Sequence, residues 1–198
     1  IPTEKRTTAC VSSQVGCSLT CKFCATGTME RKRNLTFDEI YDQVVLINKE
    51  SERVHGQKLT NIVFMGMGEP LLNSNNVLKA IDRITAEDGL FMSPKRITVS
   101  TAGVAKQIKQ LGDDKVKFKL AVSLHAANDK KRNEIMPINE TNHIDTLIEA
   151  LNHFYKQTGS EITFEYILFK NFNDSLKDAE ELVKIYRKVP ADLINIIE

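Results

Sequence analysis

All four cysteines of this 198-residue chain lie between Cys10 and Cys24, and none occurs from there to Glu198. Cys17, Cys21 and Cys24 are spaced C-x3-C-x2-C, with Cys10 standing upstream. Thiolates are the soft ligands that iron–sulfur centres prefer. Four cysteine ligands close a cubane and suit electron transfer. Three leave one iron open to a small molecule, so this run points to chemistry at a cluster as well as electron storage. Structural zinc could use the same four thiols, but its usual pattern is two separated pairs. Disulfides fit less well, because tight loops strain their geometry and nothing else marks the chain as secreted.

The other residues with chemical potential follow apolar runs. Ile62 to Met65 reads as a strand buried on both faces. Gly66 and Gly68 then allow close backbone approach, and Glu69 comes next. A lone loop carboxylate is ordinarily a solvated one; the two glycines and the buried strand favour a ligand-facing role. Ser100 lies at the end of the strand-like run from Arg96, where a hydroxyl is usually a cap or turn residue. His125 follows Ser123 and Leu124 at the end of the run from Lys117. Four readings stay open for it: catalytic base, metal ligand, cofactor hydrogen-bond partner, or satisfied structural histidine. No second histidine is near enough in sequence to argue for a metal. Arg31-Lys32-Arg33 and Lys130-Lys131-Arg132 are candidate basic patches, although such runs are more often solvated loops or helix ends.

These residues need elements to hold them. A strand reading extends from Thr3 to Val11, with Thr7 to Val11 delivering Cys10 to its end. Ser12 to Arg33 reads as one long loop, and such loops are usually functional. Thr36 and Glu39 form a capping box opening a helix that runs to about Ser51, with Gly56 as its breaker. Further helices are expected over Asn75 to Thr85, Val104 to Leu111 and Asp129 to Ile135. Another is capped by Asp145 and buries Leu147, Ile148, Leu151 and Phe154. A last one opens at Asn173-Asp174-Ser175 and runs through Lys188 with Ala179, Leu182, Val183 and Tyr186 apolar. Glu161 to Phe169 and Asp192 to Ile197 complete six strands alternating with helices. That is an α/β parallel sheet with right-handed crossovers. Every candidate residue follows a strand, where parallel α/β folds carry their sites.

Length suits one domain with a sizeable core. Lysine plus arginine number 27 against 26 acidic residues, a formal charge of +1, which argues neither for nor against a polyanionic partner. No run of apolar residues is long enough to span a membrane, and no signal peptide is visible. Unpaired cysteines point to a reducing cytoplasm. The start at Ile1-Pro2 and the apolar strand at the end read as an excised piece of a longer protein.

Cys-x3-Cys-x2-Cys with Phe23 before the last cysteine resembles the cluster loop of radical S-adenosylmethionine (radical SAM) enzymes. The longer run Ala9-Cys10-Val-Ser-Ser-Gln-Val-Gly-Cys17 resembles the RlmN/Cfr family of adenine methyltransferases, and Gly68-Glu69-Pro70-Leu71-Leu72-Asn73 its RlmN branch. The resemblance implies a radical SAM partial (β/α)6 barrel of parallel strands. Residues 1–198 would be the core domain, with an N-terminal accessory domain and a C-terminal segment outside it. It further implies a [4Fe-4S] cluster on Cys17, Cys21 and Cys24. S-adenosyl-L-methionine would be contacted by Gly68, Glu69, Ser100, Ser123, Leu124 and His125. The implied reaction uses a 5′-deoxyadenosyl radical and a methyl-cysteine lying beyond Glu198, as does a cofactor-binding asparagine. Cys10 matches the second cysteine, which resolves the protein–RNA adduct through a disulfide. From its residue type alone Cys10 reads as a small buried residue at a strand end. The implied target is carbon 2 of an adenine in 23S rRNA and in the tRNA anticodon loop, presented out of its stack. Carbon-8 methylation of the Cfr type, or another radical SAM reaction, is the alternative. Expected partners are 23S rRNA, tRNA and a flavodoxin-type electron donor, for a monomer without a membrane anchor. The chain as it stands is expected to hold a cluster yet not complete methyl transfer.

Overall fold

Short β-rich runs joined by amphipathic stretches of a dozen or more residues favour parallel strands, because each connection is long enough to carry the chain back across the sheet. The computed structural model, which describes Thr3 and residues 6–198, has this form. The chain begins with β1 (Thr8–Cys10), then β2 (Gln14–Val15) and β3 (Arg33–Asn34). Next come α1 (Phe37–His55), β4 (Asn61–Phe64), α2 (Ser74–Thr85) and β5 (Ile97–Thr101). They are followed by α3 (Ala105–Asp113), β6 (Lys119–Ser123), α4 (Asp129–Ile135) and α5 (Ile144–Thr158). The last elements are β7 (Ile162–Ile167), α6 (Leu176–Lys188) and β8 (Leu193–Ile197).

Six strands form one all-parallel sheet in the order β1-β4-β5-β6-β7-β8. Because that order is sequential, right-handed crossovers place all the helices on one face. The sheet curls into a half-barrel, the expected partial (β/α)6 barrel. Register divides its faces. Ile62, Phe64, Val99, Leu120, Val122, Ile162, Phe164 and Tyr166 face the helices and are buried. The concave face carries Cys10, Thr98, Ser100, Ser123, Glu165 and Asn195 in adjoining register.

Several expectations need correction. Within the predicted strand from Thr3, Glu4 and Lys5 lie outside the described residues, and β1 itself begins at Thr8. The stretch from Ser12 to Arg33 is not one free loop: β2 and β3 pair antiparallel and close its ends together. The capping box of Thr36 and Glu39 is present, and α1 continues to Gly56, whose left-handed conformation ends it. Asp145 does not cap α5. His143 holds that position without a side-chain bond, and the free amide of Ile144 donates instead to Asp129 Oδ1 (2.9 Å). Helix α6 starts at a capping box of Ser175 and Asp178 and turns Leu182 and Ile185 inward, so Val183 and Ala179 are exposed.

The first basic run is the exposed loop it was expected to be, and the second departs from expectation. Lys32 pairs with Glu30 and Arg33 with Glu39, while Arg31 donates to Asn34. In the second run Lys131 reaches Asp178 (2.5 Å), and Arg132 is wholly buried. Its Nε donates to the Leu124 carbonyl (3.1 Å) and Nη1 to Asn139 Oδ1 (2.7 Å). Its Nη2 serves the carbonyls of Ala102 (2.7 Å) and Ser123 (2.9 Å). One planar fork thus joins the ends of β5 and β6 to α4. Burial lowers its pKa to about 10, so the group stays charged at neutral pH.

Replacing Arg132 by Met strands four buried acceptors. The expected loss is about 3–5 kcal/mol in urea unfolding, with Arg132→Lys recovering only part because an ammonium cannot reproduce the fork. A loss below about 1 kcal/mol would show that the fork is not what ties these strand ends.

Candidate cofactor cleft

At the C-terminal ends of the strands a cavity of about 260 Å³ opens. Cys17, Cys21 and Cys24 line it from the loop, Gly68 and Glu69 from beyond β4, and Ser100 to Ala102 from β5. Ser123, Glu165, Met136 and Phe23 add further polar and apolar wall. Cys10, Leu124 and His125 are not in that lining.

The cysteine loop is fixed from several sides. Its base is the β2–β3 pair, and Lys22 N donates to the carbonyl of Ile135 at the end of α4 (3.0 Å). Cys24 N donates to Cys21 O (3.2 Å), curling the last two cysteines toward each other. All four cysteines are free thiols; Cys17, Cys21 and Cys24 are half-buried. Burial, then the neighbouring Cys17 and Cys24, pushes the Cys21 thiol up to about 12. Burial likewise raises Cys17. Cys17 and Cys21, beside Glu69, resist ionisation unless positive charge joins them, which iron ions supply. Among the described residues no group of three His, Cys, Asp or Glu side chains is arranged to hold a single ion. The three sulfurs line one cleft, and thiolates are the ligands that iron–sulfur clusters take. The donor set therefore fits the [4Fe-4S] group.

Glu69 is 3% exposed. Its Oε1 accepts from Leu71 N (3.0 Å) and its Oε2 from Ala102 N (2.7 Å), while its own amide donates to Gln14 Oε1 (2.9 Å). Burial raises its pKa, and the amides of Ala102 and Leu71 oppose that shift. The Thr101 hydroxyl bonds the carboxylate as well, which leaves one lone pair for an ammonium in the cleft. The close approach expected at the glycines is to the chain itself. Gly68 has φ +95°, and a Cβ there would lie 2.4 Å from Gln14 Cβ; at Gly66 it would lie 2.6 Å from Ser12 Oγ. Gln14 is fully buried and also donates to Asn34 Oδ1 (2.7 Å), joining β2, β3 and the segment after β4. It lies within the run from Ala9 to Cys17, but nothing in that run singled it out.

Ser100 and Ser123 are half-exposed on the concave face and line the cleft. Ser100 caps nothing: α3 begins after Val104, and Thr101 Oγ1 accepts the turn amide of Gly103 (3.0 Å). Leu124 is sealed in the core, so only its backbone is available to a ligand. His125 adopts φ +54° and is 3% exposed. Its Nδ1 accepts from Ile167 N (3.1 Å), and its carbonyl accepts from Asn173 Nδ2 (2.7 Å). Burial and the Arg132 charge hold its pKa down to about 3, leaving a neutral ring with Nδ1 as acceptor. That ring packs edge-on against Phe23, centroids 4.5 Å apart, and Phe23 lines the cleft. The geometry favours the satisfied, loop-supporting reading over base or metal ligand. Cys10 is exposed, which corrects its reading as a buried residue: strand alternation turns Ala9 inward and Cys10 to the concave side. Glu165, bonded to Asn195 Nδ2 through Oε1 (2.8 Å), was missed. The alternation from Glu161 to Phe169 is the signal that would have found it.

The model of the radical SAM superfamily matches residues 11–185. A protein of Cytophaga hutchinsonii named probable dual-specificity RNA methyltransferase RlmN is 64% identical over all of this chain and 54% of its own length. A protein of the same name from Chlorobaculum tepidum is 46% identical, covering 100% of this chain and 53% of its own. The chain thus spans about half the length of these curated relatives. A crystal structure of a radical SAM methyltransferase from Sphaerobacter thermophilus superposes with TM-score 0.94 and 42% identity, over 99% of this chain and 57% of that one. HydG, a maturase of the [FeFe]-hydrogenase, shares the fold alone: TM-score 0.67 at 14% identity, over 96% of this chain and 43% of that one.

The His125 ring generates a pH prediction. An unfolded histidine titrates near 6.5, whereas this one takes no proton until about pH 3. Its stabilising effect is complete above 6.5 and is lost as pH falls toward 3, by up to about 1.4 kcal/mol per unit. Urea unfolding between pH 7 and 4 should show a shallower acid decline for His125→Gln than for the native chain. Parallel declines would refute the assignment of a neutral, buried ring.

Proposed function

The chain belongs to the radical SAM superfamily, and from that premise we propose that it is the core of an RNA methyltransferase acting on carbon 2 of adenine. The family's cofactors are a [4Fe-4S] cluster and S-adenosyl-L-methionine. When bound, they supply radical chemistry, the kind an unreactive ring carbon of adenine requires. One observation carries the reading: three free thiols and a buried carboxylate rim a single cleft at the strand ends.

In this reading Cys17, Cys21 and Cys24 hold the cluster. Glu69 accepts the cofactor's ammonium, helped by the backbone at Gly68, and charge-assisted acceptance there is strong because the group is dry. Ser100, Ser123 and the backbone of Leu124 and His125 orient the rest of the cofactor, and Phe23 keeps water from the cysteines. Cys10, exposed on the concave face, is the thiol that resolves the adduct with a methyl-carrying cysteine elsewhere in the protein. An RNA target accords with the names of the relatives, and 23S rRNA and tRNA come from the motif resemblance. Electron supply by a flavodoxin-type donor, a monomeric state and a cytoplasmic setting belong to the same proposal. Among the described residues, no helix is long and apolar enough to cross a membrane. Residues 1–198 are the core domain of the longer protein.

Mass spectrometry of 23S rRNA and tRNA nucleosides from cells lacking other adenine-C2 methyltransferases, with the whole protein supplied, checks the proposal. The expected product is 2-methyladenosine, absent with Cys10→Ala. Finding 8-methyladenosine would overturn the carbon assignment, and finding no methyladenosine would overturn the methyltransferase reading.

A further inference from the structure

Away from the cleft, at the opposite end of the half-barrel, the segments entering β5, β6 and β7 enclose a groove of about 810 Å³. Arg6, Lys95, Arg96, Lys117 and Lys119 line it, against one carboxylate among the described residues, Glu161. Glu161 is already held by Lys119. The other four cations have no ion pair among the described residues. Three nearby carboxylates are committed elsewhere: Asp88 to Arg83 (2.7 Å), Asp113 to His153 (2.7 Å), and Asp192 to the amide of Ile162 (2.9 Å).

This concentration is a product of folding. The chain is almost neutral, with 27 basic and 26 acidic residues. Both basic runs visible in the sequence are largely spent on internal partners. The groove gathers its cations from places far apart in the chain and fixes them at strand entrances: Arg96 directly precedes β5, and Lys119 opens β6. Neighbouring strands lie about 4.8 Å apart, so these charges are forced close together. Like charges crowded in a concavity repel, and that cost is relieved by a polyanion. Asn61, Thr158 and Ser160 add uncharged polar groups to the lining. A concave, unpaired cationic trough accommodates an extended phosphodiester chain better than the convex face of an acidic protein. Arg6, Lys95, Arg96 and Lys117 are exposed and free to exchange counterions.

We propose that this groove binds the sugar-phosphate backbone of the RNA substrate, remote from the base being modified. The proposal rests on the RNA reading given above. Strands of five or six residues rise about 17–20 Å, so the groove lies beyond the target nucleotide and engages a distant part of a folded RNA. Its contacts add affinity and register without sequence preference.

The test uses the whole protein carrying Lys95→Ala, Arg96→Ala and Lys117→Ala together, with an unmodified tRNA transcript as probe in anisotropy titrations over a range of salt. These exposed changes should leave circular dichroism, and RNA-independent release of 5′-deoxyadenosine, at native levels. Affinity should fall at least about tenfold at low salt, and the slope of log K against log salt should shrink by about 2–3, one unit or slightly less per lost phosphate contact. Native affinity and native slope in the triple variant would overturn the proposal while leaving the RNA reading intact. Failure of the unaltered protein to bind any RNA would overturn the RNA reading, and the groove proposal with it. Normal RNA binding by the variant, with loss of binding to an acidic flavodoxin, would overturn it in favour of a protein partner.

Discussion

A guanidinium sealed from water, its hydrogen bonds going only to carbonyls and one side-chain amide, governs the cleft end of this half-barrel. Burying a charge is costly unless every donor finds a partner. Arg132 nearly meets that condition, placing four of its five N–H donors on Ala102, Ser123, Leu124 and Asn139. The strand ends that carry the cleft wall are therefore set by one side chain. Its helix also carries Ile135, whose carbonyl holds the cysteine loop at Lys22. Its charge reaches further than its hydrogen bonds. It opposes the rise in the Cys21 pKa and helps keep His125 neutral. The fold and the electrostatics of the cleft are thus parts of one arrangement.

The sheet supplies the second condition. With all crossovers on one side, the helix-facing residues form a continuous apolar core and the concave residues are left to solvent or ligand. Residues at the cleft rim then carry two duties. Glu69 accepts amides from two different segments while facing the cavity, and Gln14 braces it from behind. His125 satisfies the β7 end and supports Phe23. Such residues are held rigid by the structure they help to hold, which is how a cofactor site keeps its geometry before binding.

Much of this was legible in the residue order. The cysteine spacing, the buried run before Gly66 and Glu69, and the capping box at Thr36 all carry local signals, and the alternation of strands and helices follows from them. What was not legible depends on tertiary partners. Two-residue strands such as β2 and β3 are too short for any periodicity, so the closed base of the cysteine loop was invisible. Arg132 sits in a run that reads as solvated; only the four acceptors waiting in space make its burial tolerable. The apolar residues of α6 left its buried side open, since Asp178 is buried by its cap and by Lys131 while Val183 is not. Cys10 needed the phase of a three-residue strand, which its type alone could not provide. The cationic groove joins Arg6 to Lys117 across the fold, a proximity no linear pattern encodes.

The central claim is that the three thiols of the cleft hold a cluster with one iron left open for the cofactor. Mössbauer spectroscopy of anaerobically reconstituted protein, with and without S-adenosyl-L-methionine, tests it most directly. The expected result is about four irons per chain, one of which changes its spectrum on adding the cofactor. A single bound zinc, or a cluster whose irons are all indifferent to the cofactor, would contradict it.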